Sequence, residues 1–357
     1  MKTKTIIIII VLIGLSTGGF FIWKNFLFTE KLIVEGSEYW VDREIILDGS
    51  LIIQGSLTLE NVILKINSKT DGEFKIDVEA GGELRIINST TTTADPQFGY
   101  QFYYRKGSKG YIKNSVIEYT SAGEDVLKTG GHGGVGGLNV FTDGFVLKNS
   151  IIRNSKGRGV LIGRAKDILI SGNIFADNGY DGLRIYDSLG VRVENNIGYG
   201  NAEYAIKAMY SKDVEILNNI ARNNKDDGIH IHTCENVLIE GNEIFDNGRD
   251  GLQVGPGREE GGSTKIFTKN NKVRRNEENG ILFLTTSDSE ISGNVIEENG
   301  ENGMLIQWEC ENVTVSKNTV RDNGRTEMTV LESSNVIVSD NEIDEIYHDQ
   351  TSSVEYK

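Results

Sequence analysis

Arg184, Lys207 and His230 follow one another at steps of 23 residues, and they gather the reactive side chains of the middle of the chain. If that step brings residues side by side, Lys207 has a basic residue on each flank. Like charges disfavour a further charge, so its pKa falls, and a lysine tuned this way can act as a base near neutral pH. An arginine beside it can meet a carboxylate with paired hydrogen bonds. The set suits removal of a proton next to a carboxylate, the opening step of β-elimination or C5 epimerisation of a uronic acid. Tyr186, His232, Gln253, Asn139, Phe141 and Trp308 are the accompanying candidates for binding sugar rings. The rival chemistry is hydrolysis by the Asp226/Asp227 carboxylates. Asp181 and Asp227 lie two steps apart, about 10 Å if each step is one strand spacing, against roughly 6.5–9.5 Å for an inverting pair. Asp181, Asp227, Asp250, Asn279 and Asn302 each precede a glycine or its equivalent in the repeat, which is turn chemistry. His230 and His232 share one side of a strand, but no third ligand is specified, so no metal is assigned. No cofactor is specified either.

The elements that must position these residues repeat. Asn173, Asn196, Asn219, Asn242, Asn271, Asn294, Asn318 and Asn341 form one column. Asn178, Asn201, Asn224, Asn247, Asn276, Asn299 and Asn323 form a second, and a small residue follows four positions later, as at Gly182, Ala205 and Gly228. A fixed period in the twenties marks a solenoid. Within each repeat apolar residues alternate, as in Ile229-His230-Ile231-His232 and in Val237 and Ile239, so each repeat is short strands. Three such strands per turn predict an all-β parallel β-helix. The asparagines have two reasons: tolerance of the left-handed backbone at tight bends, and amide ladders between stacked turns. Strand alternation sends Arg184, Lys207, His230 and Gln253 outward in one row, and Tyr186 and His232 in the next. Two glycine-rich insertions, Gly130–Gly137 and Gly255–Gly262, flank that face.

The chain has 357 residues, with 37 Lys and Arg against 52 Asp and Glu, a net charge of −15. That balance, without a basic cluster, excludes nucleic acid as a partner. Lys2 and Lys4 precede Thr5–Trp23, a stretch without charge that matches a bilayer core. No A-x-A-like cleavage site follows, so an uncleaved anchor is expected, its N-terminus cytoplasmic and the rest of the chain outside the cell. The expected organisation is a transmembrane anchor over 1–24, a stalk over 25–35, a cap and first coils over 36–148, regular repeats over 149–345 and a polar, fraying tail over 346–357. Cys234 and Cys310 fall in one small-residue column three coils apart, roughly 14 Å at strand spacing, too far for a disulfide. Asn88-Ser-Thr and Asn312-Val-Thr fit glycosylation acceptors.

The repeats, most clearly Lys225–His232 and Cys234–Val237, resemble those of the right-handed β-helix superfamily of pectate lyases, polygalacturonases, alginate lyases and epimerases, and non-enzymatic NosD-type proteins. The likeness covers about Asn149 to Asn341. It implies a polysaccharide along an outer sheet face; fold alone does not fix an activity. Asp226-Asp227 is similar to a polygalacturonase pair, but Glu203-Tyr204-Ala205 stands where that family keeps an Asn-Thr-Asp triplet. The functional expectation is therefore a membrane-anchored, extracytoplasmic β-helix that binds an acidic polysaccharide. The enzymatic version is a lyase or epimerase using Lys207, His230 and Arg184. The alternatives are a non-enzymatic carbohydrate-binding or structural surface protein and a glycoside hydrolase.

Overall fold

The structure is a computed structural model that describes residues 8–10, 24–122, 136–255 and 261–357. The described residues are strands and turns, and they belong to two compact units, Met1–Leu161 and Ile162–Lys357. Among them no helix is long and apolar enough to cross a membrane. The expected anchor, Thr5–Trp23, lies outside the described residues except for Ile8–Ile10, which pairs antiparallel with Asn25–Leu27. Most of both glycine-rich insertions also lies outside them.

The second unit is a right-handed parallel β-solenoid with three strands per coil, each paired in parallel with its counterpart one repeat on. Sheet A runs through Leu183–Tyr186, Ile206–Met209, Ile229–His232, Leu252–Val254, Ile281–Leu284, Met304–Gln307 and Met328–Leu331. Sheet B includes Leu189–Glu194, Lys212–Leu217 and Glu235–Glu240. Sheet C includes Ile197–Tyr199, Ile220–Arg222, Glu243–Phe245 and Lys272–Arg274. Alternation places Leu183, Ile185, Ile229, Ile231, Val237 and Ile239 in the core, all fully buried, each worth about 1.5–3 kcal/mol in transfer from water. The last residues, expected as a polar tail, form paired strands. Ile346–His348 pairs with Met328–Val330 and Val354–Tyr356 with Val336–Val338, adding one more partial coil.

The two asparagine columns are continuous amide ladders. Asn196 Nδ2 donates to Asn219 Oδ1 at 2.9 Å, and Asn219 Nδ2 donates to Asn242 Oδ1 at 3.0 Å. The same Oδ1 atoms accept the backbone N–H of the coil before, as from Asn196 N to Asn219 Oδ1 at 2.9 Å. The left-handed backbone is elsewhere, on the residue just before each ladder asparagine: Asn195, Asn218, Asn223, Asp246 and even Lys317. Ladder asparagines are thus kept for their amides, and their neighbours take the bend. Gly228 has a packing reason: a Cβ there would sit 2.4 Å from Ile244 Cγ2 and 2.8 Å from Asn247 Nδ2. Cys234 and Cys310 are buried, unbridged members of a similar small-residue ladder, in which Cys234 N donates to Ser263 Oγ and Thr286 N to Cys310 Sγ.

The first unit is built the same way. Its ladders are Lys75–Val78, Gln101–Tyr104 and Leu138–Val140; Glu83–Ile87, Lys109–Lys113 and Val146–Lys148; and Thr90–Thr93, Val116–Glu118 and Ile151–Arg153. Its core holds an aromatic stack, with Phe102 and Tyr104 centroids 5.5 Å apart and Tyr104 and Phe145 5.0 Å apart. Lys24–Val34, the expected stalk, is a strand paired in parallel with Glu44–Ile53.

Candidate functional site

Sheet A brings Arg184, Lys207, His230 and Gln253 into one row, each opposite the next in the parallel register. Tyr186, Met209 and His232 form the row beside it. The expected row exists, but most of it does not face solvent. Arg184 is 5% exposed, His230 6% and Gln253 8%, while Lys207, Tyr186 and His232 are half-buried.

The burial has a cause that recurs on three coils: the side chain three residues earlier folds onto Arg184, Lys207 and His230. Asp181 holds Arg184, with Oδ2 2.5 Å from Nε and Oδ1 3.1 Å from Nη2. Glu203 adds a contact from the next coil at 3.2 Å. Asp227 Oδ2 lies 2.9 Å from His230 Nδ1. Tyr204 takes the corresponding place before Lys207, whose ammonium sits 4.1 Å from the centre of the phenol ring. The edge of the same ring packs on His230, centroids 5.0 Å apart. Asp250 precedes Gln253, but neither completes a pair: Asp250 Oδ2, Gln253 Oε1 and His230 Nε2 are buried without a hydrogen-bond partner among the described residues.

The aspartates expected as turn residues are therefore buried, fully so at Asp181, Asp227 and Asp250. From Asp227 onward they run as a third ladder, with Asp250 N donating to Asp227 Oδ1 at 3.1 Å and Asn279 Nδ2 to Asp250 Oδ1 at 2.9 Å. Both oxygens of Asp227 are engaged, and Asp226 is held by Arg249 at 3.1 Å.

Burial sets the protonation states. It pushes Asp227 up to about 7, with help from Asp226, and Asp250 up to about 7, with help from Asp227. It holds His230 well below the usual imidazole range, with Lys207 as the next cause. It keeps the Tyr204 phenol protonated, reinforced by Asp226 and Asp227, and raises Glu203, with Asp181 reinforcing it. Lys207 is lowered first by burial and only then by Arg184; Asp181, Glu203 and Asp227 oppose the shift. The expected direction for Lys207 holds, but the cationic neighbours are not its main cause.

The remaining candidates are engaged otherwise or follow the strands of their coils. Asn139 is buried, its amide donating to the Phe102 and Gly137 carbonyls. Phe141, half-buried, follows the Leu138–Val140 strand of the first unit. Trp308 sits in a left-handed turn after Met304–Gln307, two coils beyond Gln253, with apolar Leu282 between. The residue pattern marks Glu203 and Tyr204 only as a departure from the polygalacturonase triplet, and it gives Tyr210 no role. Tyr210, 43% exposed, packs edge-on against Tyr186 and His232 at 5.6 and 5.4 Å. The available signal was the i, i+3 pairing of Asp181 with Arg184 and Asp227 with His230, repeated with a tyrosine at 204. Among the described residues no three His, Cys, Asp or Glu side chains are placed to hold a metal ion.

Solved structures share this fold at low identity. The periplasmic alginate epimerase AlgG superposes with a TM-score of 0.58 at 13% identity, over 94% of this chain and 85% of that one. The A-module of the Azotobacter vinelandii mannuronan C-5 epimerase AlgE6 gives 0.56 at 16%, over 88% and 90%. PfbA, a surface adhesin of Streptococcus pneumoniae, gives 0.50 at 12%, over 85% and 84%. No curated protein matches the chain. The sequence profile described as the right handed beta helix region matches residues 129–260 and 253–350, more than half of the chain. With its parallel three-strand coils, the protein belongs to the right-handed β-helix family.

Proposed function

We propose that the sheet A face binds an acidic polysaccharide and removes the proton at the carbon beside a uronate carboxylate. The observation that carries this reading is His230 Nε2, a buried nitrogen on the outer side of a sheet with no hydrogen-bond partner among the described residues. An unsatisfied buried polar atom costs about 1–3 kcal/mol, and here it belongs to an imidazole held neutral. With Asp227 ionised, Nδ1 carries the hydrogen and Nε2 the lone pair. His230 is then the base, in place of Lys207.

Lys207, the least buried cation of the row, would meet the uronate carboxylate. Arg184 is occupied by Asp181 and Glu203, so it positions those carboxylates instead. The base takes the C5 proton, and its electron pair delocalises into the carboxylate that Lys207 neutralises. Expulsion of the C4 oxygen, protonated by the Tyr204 phenol, gives β-elimination; delivery of a proton from water to the opposite face, with the resulting hydroxide neutralised by the proton from His230, gives the C5 epimer. Tyr186, Tyr210 and His232 supply ring edges along the same face for sugar stacking. Structural neighbours that are epimerases of alginate and mannuronan support the substrate class. The periplasmic location of AlgG and the surface location of PfbA support an extracytoplasmic β-helix, which Thr5–Trp23 would tether to the membrane.

The full chain should release unsaturated ends, seen by ultraviolet absorbance, or convert C5 centres, seen by NMR, on at least one polyuronate and on no neutral glucan. Tight binding to polyuronates with neither change would replace the enzymatic reading by the carbohydrate-binding one.

A further inference from the structure

Sheet C carries a second row of a different kind. Tyr199, Arg222, Phe245 and Arg274 stand opposite one another on consecutive coils, an aromatic ring and a guanidinium in alternation. Each guanidinium lies against the ring one coil earlier, Arg222 at 4.7 Å from Tyr199 and Arg274 at 5.3 Å from Phe245. The stacking holds both forks flat along the face.

Neither cation has a carboxylate partner among the described residues. Arg222 Nη1 donates only to Asn223 Oδ1 at 2.9 Å, and Arg274 Nε is buried without any partner. Their neighbours differ. Arg275 is paired with Asp246 at 2.9 Å, Arg321 with Glu297 at 2.8 Å, Arg192 with Glu194 at 2.7 Å and Arg249 with Asp226 at 3.1 Å. The local acids are thereby consumed: Asp246 holds Arg275, and Glu243 faces Lys272 at 3.9 Å. Glu297 stands opposite Arg274 on the next coil but bonds to Arg321, so in a chain of net charge −15 these two guanidiniums are left free to take an anion from outside.

We propose that this row is a second, non-catalytic binding surface for an acidic polysaccharide, lying on a different sheet from the candidate site. The two guanidiniums are two coils apart, about 10 Å at strand spacing, and an aromatic ring lies between them. That arrangement fits a polymer that offers a planar carboxylate at regular intervals along its length and an apolar ring face in between. A nucleic acid would require many more cationic contacts, and a lipid surface would need a cluster of about 4–8 Lys or Arg.

The test uses the full chain in detergent, with polygalacturonate and alginate as probes and a neutral glucan as control. Affinity is measured for wild type, for Arg222→Gln/Arg274→Gln and for Lys207→Ala. The proposal expects at least a tenfold loss of polyuronate affinity in the double variant at unchanged melting temperature, with Lys207→Ala still binding. Unchanged affinity in the double variant overturns it, as does absence of polyuronate binding by wild type. Should the double variant not fold, Arg222→Lys/Arg274→Lys is measured instead. It keeps charge and stems but not the planar fork, so at least a threefold loss supports the proposal and no loss overturns it. Because turnover is read separately on short oligomers, failure of this surface and failure of the sheet A site give different results.

Discussion

At the scale of the residue, the account turns on one proton between Asp227 and His230. The imidazole offers Nε2 as a base only while Asp227 is ionised and accepts the Nδ1 hydrogen. Burial places that carboxyl at about 7, so the rate should climb as pH rises through about 7 and level off above it. A profile that stays flat across that range would remove the pair from the mechanism. The same shift bears on stability. A carboxyl whose pKa is raised in the folded state stabilises the fold below its unfolded pKa, near 3.9. That contribution is lost as pH rises towards the folded value. Asp227 and Asp250 should therefore make the melting temperature fall between about pH 4 and pH 7. Asn279 and Asn302 continue the Asp250 column with the same ladder bonds, so Asp250→Asn fits the site and removes one buried acid. It should raise the melting temperature at neutral pH by a few degrees, from about 1–2 kcal/mol. A lower value would mean that the carboxyl is satisfied in a way the ladder does not require.

At the scale of the element, the coils owe their register to amides rather than to turns. Asn219 accepts from Asn196 N and Nδ2 and donates to Val193 O and Asn242 Oδ1. Asn219→Ala should cost on the order of 3 kcal/mol, because each orphaned buried group costs about 1–3. The adjacent Asn218, exposed at a φ of 54°, should accept glycine with little change and resist valine, for which a left-handed backbone is strained. Urea midpoints for the three variants check this, and equal losses at 218 and 219 would contradict the division of labour. The sequence made the strands, their register and the outward row of Arg184, Lys207 and His230 legible, because period two and a constant step translate directly into faces. It did not show that Asp181, Tyr204 and Asp227 fold over that row. Asp before Gly reads as a turn whether its side chain points to water or back onto the sheet.

At the scale of the whole chain, 52 acids against 37 bases leave a field that repels polyanions. On the proposed reading, attraction comes from local exceptions, Lys207 on sheet A and Arg222 with Arg274 on sheet C, and it should weaken as salt screens them. The N-terminal stretch Thr5–Trp23 predicts that the full chain stays in the membrane pellet through an alkaline carbonate wash. Recovery in the supernatant would remove the anchor.

The most direct measurement follows the C5 hydrogen of a polyuronate in heavy water, because its removal is the step that elimination and epimerisation share. The account predicts incorporation or loss of the C5 proton with wild type, and none with His230→Gln at an unchanged melting temperature. Exchange that continues in His230→Gln, or none with wild type on any polyuronate, would contradict it.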